Sequence, residues 1–230
     1  MKKHMDRREF LKVSAGAGIM ISAGAVLSGG RNVAYAKELQ NIQLAKPQST
    51  SGNVVLNLLE KRVSSREFGP EALPIPVLSN LLWAAFGISR PDGKRTAPSA
   101  NNRQEIDIYM AAPDGLYLYD PRGNLLKSVV AEDIRGLTGT QPYVKQAAVN
   151  LVYVADTSKL GEAPQEQRML MLGANTGVIA ENVYLFCAAE GLATVLRAMI
   201  DKPALAKAMK LRPDQMIIMS QSVGYPKKMA

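Results

Sequence analysis

The chain has 230 residues, 47% of them hydrophobic and 21% charged, a composition that fits one globular domain and excludes wholesale disorder. Half of its formal charge of +8 lies in residues 1–36, which hold six basic and two acidic residues, so the remainder is too weakly basic to indicate nucleic-acid binding. His4 is the single histidine and Cys187 the single cysteine. The body of the chain therefore cannot form a Ser-His-Asp or Cys-His centre, or a zinc site made of histidines or of several cysteines. A single cysteine also excludes an intramolecular disulfide.

The first 36 residues are predicted to be a targeting segment. The string R-R-E-F-L-K at 7–12 resembles the twin-arginine export signal, and a charge-free run rich in Ala and Gly follows over 13–30. Small residues at Ala34 and Ala36 predict cleavage before Lys37, with export to the periplasm or another extracytoplasmic compartment. An uncleaved anchor and a disordered basic arm are the alternatives. The predicted organisation is a signal peptide at 1–36, a polar linker at 37–52 and one domain at 53–230.

The domain begins with a predicted helix over about 54–59, which is followed by a cluster of arginine and serine. Arg62, Ser64 and Arg66 alternate along the next stretch, so they project from one side if that stretch is extended. Guanidinium groups hold phosphate by paired hydrogen bonds, and a serine hydroxyl adds a neutral donor. The cluster therefore indicates a phosphate site, with a solvated surface as the alternative.

A second helix is predicted over 77–86, with Gly87 as its C-cap and with Trp83 in core or interface packing rather than stacked on a ligand. A polar segment at 96–104 then leads into a strand at 106–112. The turn at Pro113-Asp114-Gly115 predicts a hairpin with the run at 116–119, and another apolar segment covers 125–130.

The second half of the domain is dominated by one long predicted helix. It opens at Pro164, runs to about Ala189 and ends at Gly191, and it is apolar on more than one face, which predicts burial in the core or in a subunit interface. Cys187 within it is predicted to be an inert core thiol. Before this helix in the chain, the pattern predicts a central strand at 149–155, and after it a short helix that follows Pro203 and a last strand at 216–219.

Four short motifs in this order resemble the FMN-dependent nitroreductase superfamily, across about 50–230. They are R-x-S-x-R at 62–66, P-S-x-x-N-x-Q at 98–104, an Ala-rich helix ending in E-G-L at 190–192, and G-Y-P-K-K at 224–228. The resemblance implies an α+β fold, with a mixed or antiparallel central sheet flanked by helices, and an obligate homodimer with FMN at its interface. The run L-L-W-A-A-F-G at 81–87 and the hairpin at 117–121 are most similar to the branch that contains azoline dehydrogenases.

The resemblance also implies roles for individual residues. Arg62 and Ser64 would hold the FMN phosphate and ribityl chain, while Arg66 would reach the pyrimidine edge of the ring. Backbone N–H groups near Gly191 and Leu192 would face flavin N5. For the terminal lysines, a frayed basic tail is the alternative, because chain ends are often poorly ordered. The other implied contacts are Pro98, Ser99 and Asn102 on the partner's flavin ring, Gln104 bracing their loop, Gln141 on the ring, and Lys227 and Lys228 on the phosphate.

The leading hypothesis is an exported FMN-dependent oxidoreductase with no catalytic side chain of its own and no metal. Hydride would pass through flavin N5 to or from a small organic substrate in a ping-pong cycle, as the resemblance implies. One alternative is an azoline dehydrogenase that acts on a peptide, and another is a non-catalytic electron carrier that binds FMN. Export leaves the electron donor open between NADH, NADPH, a quinol and other reductants, since nicotinamide nucleotides are scarce outside the cytoplasm.

Overall fold

A computed structural model of the chain describes residues 43–44 and 54–228. The chain divides into two compact units, Met1–Lys46 and Pro47–Ala230. Of the first unit only Gln43 and Leu44 are described, and both are exposed. The predicted signal peptide lies outside the described residues, as does the predicted linker apart from those two residues. All helices and strands given below belong to the second unit.

The centre of the second unit is a six-stranded sheet in the order β3-β2-β1-β4-β6-β5. Every neighbouring pair is antiparallel. The central strand β4 is buried along its whole length, as its apolar sequence predicts. The strands are β1 (Ile106–Ala112), β2 (Gly115–Asp120), β3 (Leu125–Val130), β4 (Val149–Asp156), β5 (Ala193–Arg197) and β6 (Gln215–Gly224).

The sheet separates the core into two layers, each covered by helices. On one face of the sheet, Leu151 and Tyr153 of the central strand share a core cluster with Leu81 and Ile179 from two of the helices. On the other face, Val152 and Val154 pack in a smaller cluster with Leu205 of the short fourth helix. This alternation along β4 follows from the period of two in a strand. The helices are α1 (Val54–Lys61), α2 (Ile75–Phe86), α3 (Gln165–Glu190) and α4 (Lys202–Ala208).

Helix α3 is long and apolar enough to cross a membrane by length and composition, but it lies against the sheet. Its buried residues include Leu172, Ile179 and Val183, which face the core. It ends at Gly191, whose φ of 67° is left-handed backbone that glycine adopts without strain. Met169, Leu170, Met171 and Val178 on the same helix are exposed.

The structure confirms the predicted α+β class and the order of the predicted elements, with two differences. The last strand continues to Gly224, beyond its predicted end at Met219, because Ser220, Gln221 and Ser222 are buried between β4 and β5. The sequence pattern also missed β5. Both segments carry polar side chains that are buried and hydrogen-bonded, a situation that apolar periodicity does not report.

Candidate functional site

The segment after α1 runs alongside β5 and the C-terminal residues. The Ser65 N–H donates to the Thr194 carbonyl at 2.9 Å, and the Gly69 N–H donates to the Tyr225 carbonyl at 2.9 Å. Farther along, the Lys227 N–H donates to the Glu67 carbonyl at 3.3 Å. These bonds bring three of the four sequence motifs together: 62–66, the E-G-L turn that leads into β5, and the terminal G-Y-P-K-K.

Tyr184 on α3 fixes the orientation of this segment. Its hydroxyl lies 2.9 Å from the Ser64 hydroxyl and accepts a hydrogen bond from the Leu196 N–H at 2.9 Å. The Arg62 guanidinium lies over the Tyr184 ring, 5.4 Å from its centroid, a cation–π contact. Because the Tyr184 oxygen accepts from a backbone amide, its own proton can go to Ser64, which leaves the serine proton for a ligand.

The cations of this cluster are open to solvent and are not neutralised by nearby carboxylates. Arg62 is half-buried and Arg66 is exposed, and among residues 54–228 neither forms an ion pair. Lys227 is exposed as well. Lys228 lies 3.6 Å from the Glu71 carboxylate, but both groups are largely in water, so this ion pair contributes little. The cluster can therefore attract an anion.

Gly191 and Leu192 lie where the E-G-L motif predicts, at the turn between α3 and β5. Their amides, however, are already engaged. The Gly191 N–H donates to the Cys187 carbonyl, and the Leu192 N–H donates to the same oxygen at 2.8 Å. A donor role toward a ligand requires that these bonds be shared or exchanged, so that role stays a prediction.

The P-S-x-x-N-x-Q motif forms a loop held together by Gln104. The Gln104 backbone N–H donates to the Ser99 hydroxyl at 3.0 Å, and its side-chain Nε2 donates to Asn102 Oδ1 at 3.0 Å and to the Gly93 carbonyl at 3.1 Å. Asn101, Asn102 and Gln104 have positive φ of 54°, 53° and 50°, and Pro98 in the same loop is exposed. Left-handed backbone at residues other than glycine is typical of functional loops.

Within the chain this loop lies far from the 62–66 cluster, and helix α3, which contacts both regions, gives a measure of the distance. Asn175 on α3 donates to the buried Glu105 at the end of the loop, whereas Tyr184 contacts Ser64. Nine residues of helix correspond to about 14 Å along its axis. The strand register gives an independent measure: Glu105 and Thr194 stand level with opposite ends of β4, seven residues or about 23 Å apart. The separation is therefore on the order of 20 Å.

Gln141 lies beside Arg197, at the end of β5 away from Gly191. Gln141 Oε1 and Arg197 Nε are buried and have no hydrogen-bond partner among the described residues. Both atoms lie close to Gly139: a Cβ added to this glycine would lie 2.9 Å from Gln141 Oε1 and 2.4 Å from Arg197 Nε. Gln141 thus holds a buried, unpartnered acceptor, and no hydrogen bond among the described residues joins it to the 62–66 cluster.

The sequence pattern missed Tyr184, Glu105 and Arg197. Tyr184 falls on the apolar pattern of α3 and reads as a core aromatic, and Glu105 and Arg197 carry charge at positions that are 1% and 6% exposed. No signal in a single sequence marks a charged residue as buried. Cys187, by contrast, is the predicted core thiol: it is 1% exposed, and burial raises its pKa to about 12.

The fold and the cationic segment beside α3 define an α+β protein with a candidate site for an anionic ligand. The sequence profile of the nitroreductase family matches residues 59–225, and the chain belongs to that family. Members of the family are generally flavin-dependent, dimeric oxidoreductases.

Individual relatives agree with this family. A protein of Ralstonia eutropha JMP134, described as a nitroreductase, has a crystal structure that matches with 41% identity and a TM-score of 0.73, over 81% of this chain and 89% of that one. A protein of Methanocaldococcus jannaschii named as a nitroreductase is 24% identical over 71% of this chain and 87% of its own length. The E. coli microcin synthetase McbBCD complex matches with 18% identity and a TM-score of 0.64, over 99% of this chain and 85% of that one, and this likeness shows the fold alone.

Proposed function

We propose that this chain is an exported, homodimeric, FMN-dependent oxidoreductase that acts on a small organic substrate. The observation that carries the proposal is the patch formed by Arg62, Ser64 and Arg66 beside the Gly191 turn and the Lys227 segment. Bound FMN would supply hydride transfer at its N5 atom, with donor and acceptor using the site in turn. The residues of this chain would bind and orient the cofactor, and none of them needs to act as a covalent catalyst.

The chemistry of the donor set fits FMN. A phosphate suits Arg62, Arg66 and the terminal lysines, because the guanidiniums lack carboxylate partners among residues 54–228. The Ser64 hydroxyl is positioned by Tyr184 to donate to a ligand oxygen. A flavin ring also carries one N–H donor, and Gln141 would accept from it once the ligand brings its buried, unpartnered Oε1 into contact with the ring.

A cavity favours an enzyme over an electron carrier. It has a volume of about 490 Å³, is mainly apolar, and is lined by residues that include Leu73, Met110 and Ala148. Ala148 also lies against Gly224, at the start of the terminal motif. A volume of this size accommodates a small organic molecule, which a pure carrier does not need.

The purified protein gives the direct test. We expect a yellow protein, or a colourless one that binds added FMN stoichiometrically, and a colourless protein that cannot be reconstituted would contradict the proposal. Stopped-flow reduction by NADH, NADPH and quinols then identifies the donor. Bound flavin that no small molecule reduces would favour the carrier, whereas reduction by an azoline-containing peptide, with indifference to NADH, would favour a peptide azoline dehydrogenase.

The proposed dimer is supported by the distance between the two parts of the proposed site. Pro98, Ser99 and Asn102 lie about 20 Å from the 62–66 cluster of their own subunit. We infer that they reach the flavin held by a second copy. The exposed apolar side chains of α3 support such a contact, as does Trp83 on α2, which is 48% exposed. A monomer rarely leaves large apolar patches in water.

Trp83→Glu is therefore expected to produce monomers that retain little FMN, because a charge at the centre of an apolar interface is costly to bury. Analytical ultracentrifugation and flavin content are the measurements. Lys207→Glu, on the exposed side of α4, is the matched control and should remain a yellow dimer. A Trp83→Glu protein that stays dimeric would show that α2 lies outside the interface.

Export through the twin-arginine pathway completes the proposal, because that route carries proteins that are already folded with a cofactor. Replacing Arg7 and Arg8 with lysine is expected to retain the protein in the cytoplasm. Cell fractionation with immunodetection is the measurement, and the unchanged sequence in the same cells is the control. Equal amounts of both forms in the extracytoplasmic fraction would remove export from the proposal.

A further inference from the structure

A second cationic site lies beside the 98–104 loop, and Gln104 of that loop lines it. It is a polar cavity of about 350 Å³ between that loop and the β2–β3 hairpin. Five basic residues line it, against two carboxylates. The basic residues are Arg95, Arg103, Arg122, Lys127 and Lys159, and the acidic ones are Asp107 and Asp120.

Each of the two carboxylates forms an ion pair with one of the two lysines. Lys127 lies 2.6 Å from Asp120, and Lys159 lies 3.3 Å from Asp107. Lys159 also lies 3.9 Å from the Asp156 carboxylate. These contacts neutralise the lysines, so the cavity keeps the charge of its three arginines.

The three guanidiniums have no carboxylate partner in the described part of the chain. Arg95 donates to the Gln104 side chain at 2.8 Å and to the Phe86 carbonyl at 2.9 Å, both neutral acceptors. It also lies 4.7 Å from the Phe86 ring centroid. Burial lowers the pKa of Arg95. The side chains of Arg103 and Arg122 are exposed and form no ion pair within 54–228.

We propose that this cavity binds the phosphate group of a small phosphate ester. The guanidinium charges held in one concave site repel each other, and a bound oxyanion offsets this repulsion by attracting all of them. Guanidinium forks match the oxygen geometry of phosphate, and the volume admits a phosphate with a small organic substituent. Because Gln104 lines the cavity and also bonds Asn102, a bound phosphate would anchor its ligand next to the P-S-x-x-N loop.

Pyrophosphate is the probe, titrated calorimetrically into FMN-saturated protein at low ionic strength. Arg103→Gln and Arg122→Gln should each weaken binding about tenfold, since each removes a charge-assisted hydrogen bond. Arg122→Lys, which keeps the charge but loses the fork, should fall between Arg122→Gln and the unchanged protein. Lys207→Gln is the matched control and should bind as the unchanged protein does. Both arginines are exposed, and thermal unfolding of each variant checks that the fold is retained.

The titration is repeated without FMN on the unchanged protein and on the Arg62→Ala, Arg66→Ala double variant, which removes the first cationic cluster. Pyrophosphate binding that survives there and is weakened about tenfold in Arg103→Gln and in Arg122→Gln supports the proposal, whether or not the protein binds FMN. No measurable binding overturns it, as does binding that only the 62–66 variant abolishes. Succinate is titrated in parallel, and tighter binding of succinate than of pyrophosphate overturns the assignment to phosphate.

Discussion

Replacing both Arg62 and Arg66 with alanine is expected to abolish stoichiometric FMN retention. In the proposed site these side chains supply the main charge-assisted hydrogen bonds to the cofactor, and neither is neutralised by a carboxylate among residues 54–228. Bonds to charged groups contribute about 1.5–3 kcal/mol each, so losing two weakens FMN binding by about 10²- to 10⁴-fold. The absorption spectrum of the purified variant and a fluorescence titration of its apoprotein measure the effect.

Two controls separate this effect from unfolding. Arg90→Ala removes an exposed arginine elsewhere on the domain and should leave flavin content unchanged. Arg62→Lys with Arg66→Lys keeps the charge but loses the planar fork, so it should retain FMN with reduced affinity. Because Arg62 also stacks on Tyr184, the melting temperature of each apoprotein should be recorded. An alanine variant that keeps the yellow colour at unchanged stoichiometry would refute the proposed site.

Arg197→Ala is expected to produce the largest loss of stability. Arg197 is 6% exposed, and its guanidinium donates to the Ser222 hydroxyl at 2.6 Å, the Thr138 hydroxyl at 2.8 Å and Asn150 Oδ1 at 2.9 Å. The substitution leaves a cavity together with buried acceptors that have lost their donor. Such changes cost about 3–5 kcal/mol. For a domain of this size the melting temperature should fall by about 6–20 °C.

Thermal and urea unfolding of the apoprotein measure this change without involving the cofactor. Arg197→Lys is the informative companion, because it keeps a buried charge but cannot reach all three acceptors at once, and it should lie between Arg197→Ala and the unchanged protein. Arg90→Ala again serves as the exposed control. A melting temperature for Arg197→Ala within a degree or so of the unchanged protein would show that the network around Thr138 contributes little to folding.

Several elements were predictable from sequence because a local rule specifies each of them. Helix α3 could be predicted to its last turn, since its apolar residues recur at helical spacing and a glycine follows its end. The hairpin of β1 and β2 follows from alternation around Pro113-Asp114-Gly115. The 62–66 segment could be proposed as a phosphate site because the required residue types are adjacent in sequence.

The features that could not be predicted depend on contacts distant in sequence. The strand β5 became identifiable only when its neighbours were in place, because Thr194 and Arg197 are buried polar residues whose partners lie on β6 and in the loop before β4. The same holds for Tyr184, whose contact with Ser64 spans 120 positions in the chain. The amides of Gly191 and Leu192 show a further limit: a motif identifies the turn but does not reveal that the Cys187 carbonyl already engages both of them.

The burial of Cys187 has a practical consequence for handling the protein. Burial raises the pKa of its thiol to about 12, so the thiolate, which is the form that reacts with oxidants and disulfides, is scarcely populated at neutral pH. As this is the sole cysteine, the folded chain has no sulfur available for mixed disulfides or covalent aggregation in air. Purification and storage should therefore require no dithiothreitol, and a thiol-reactive dye should label the protein only after it is denatured.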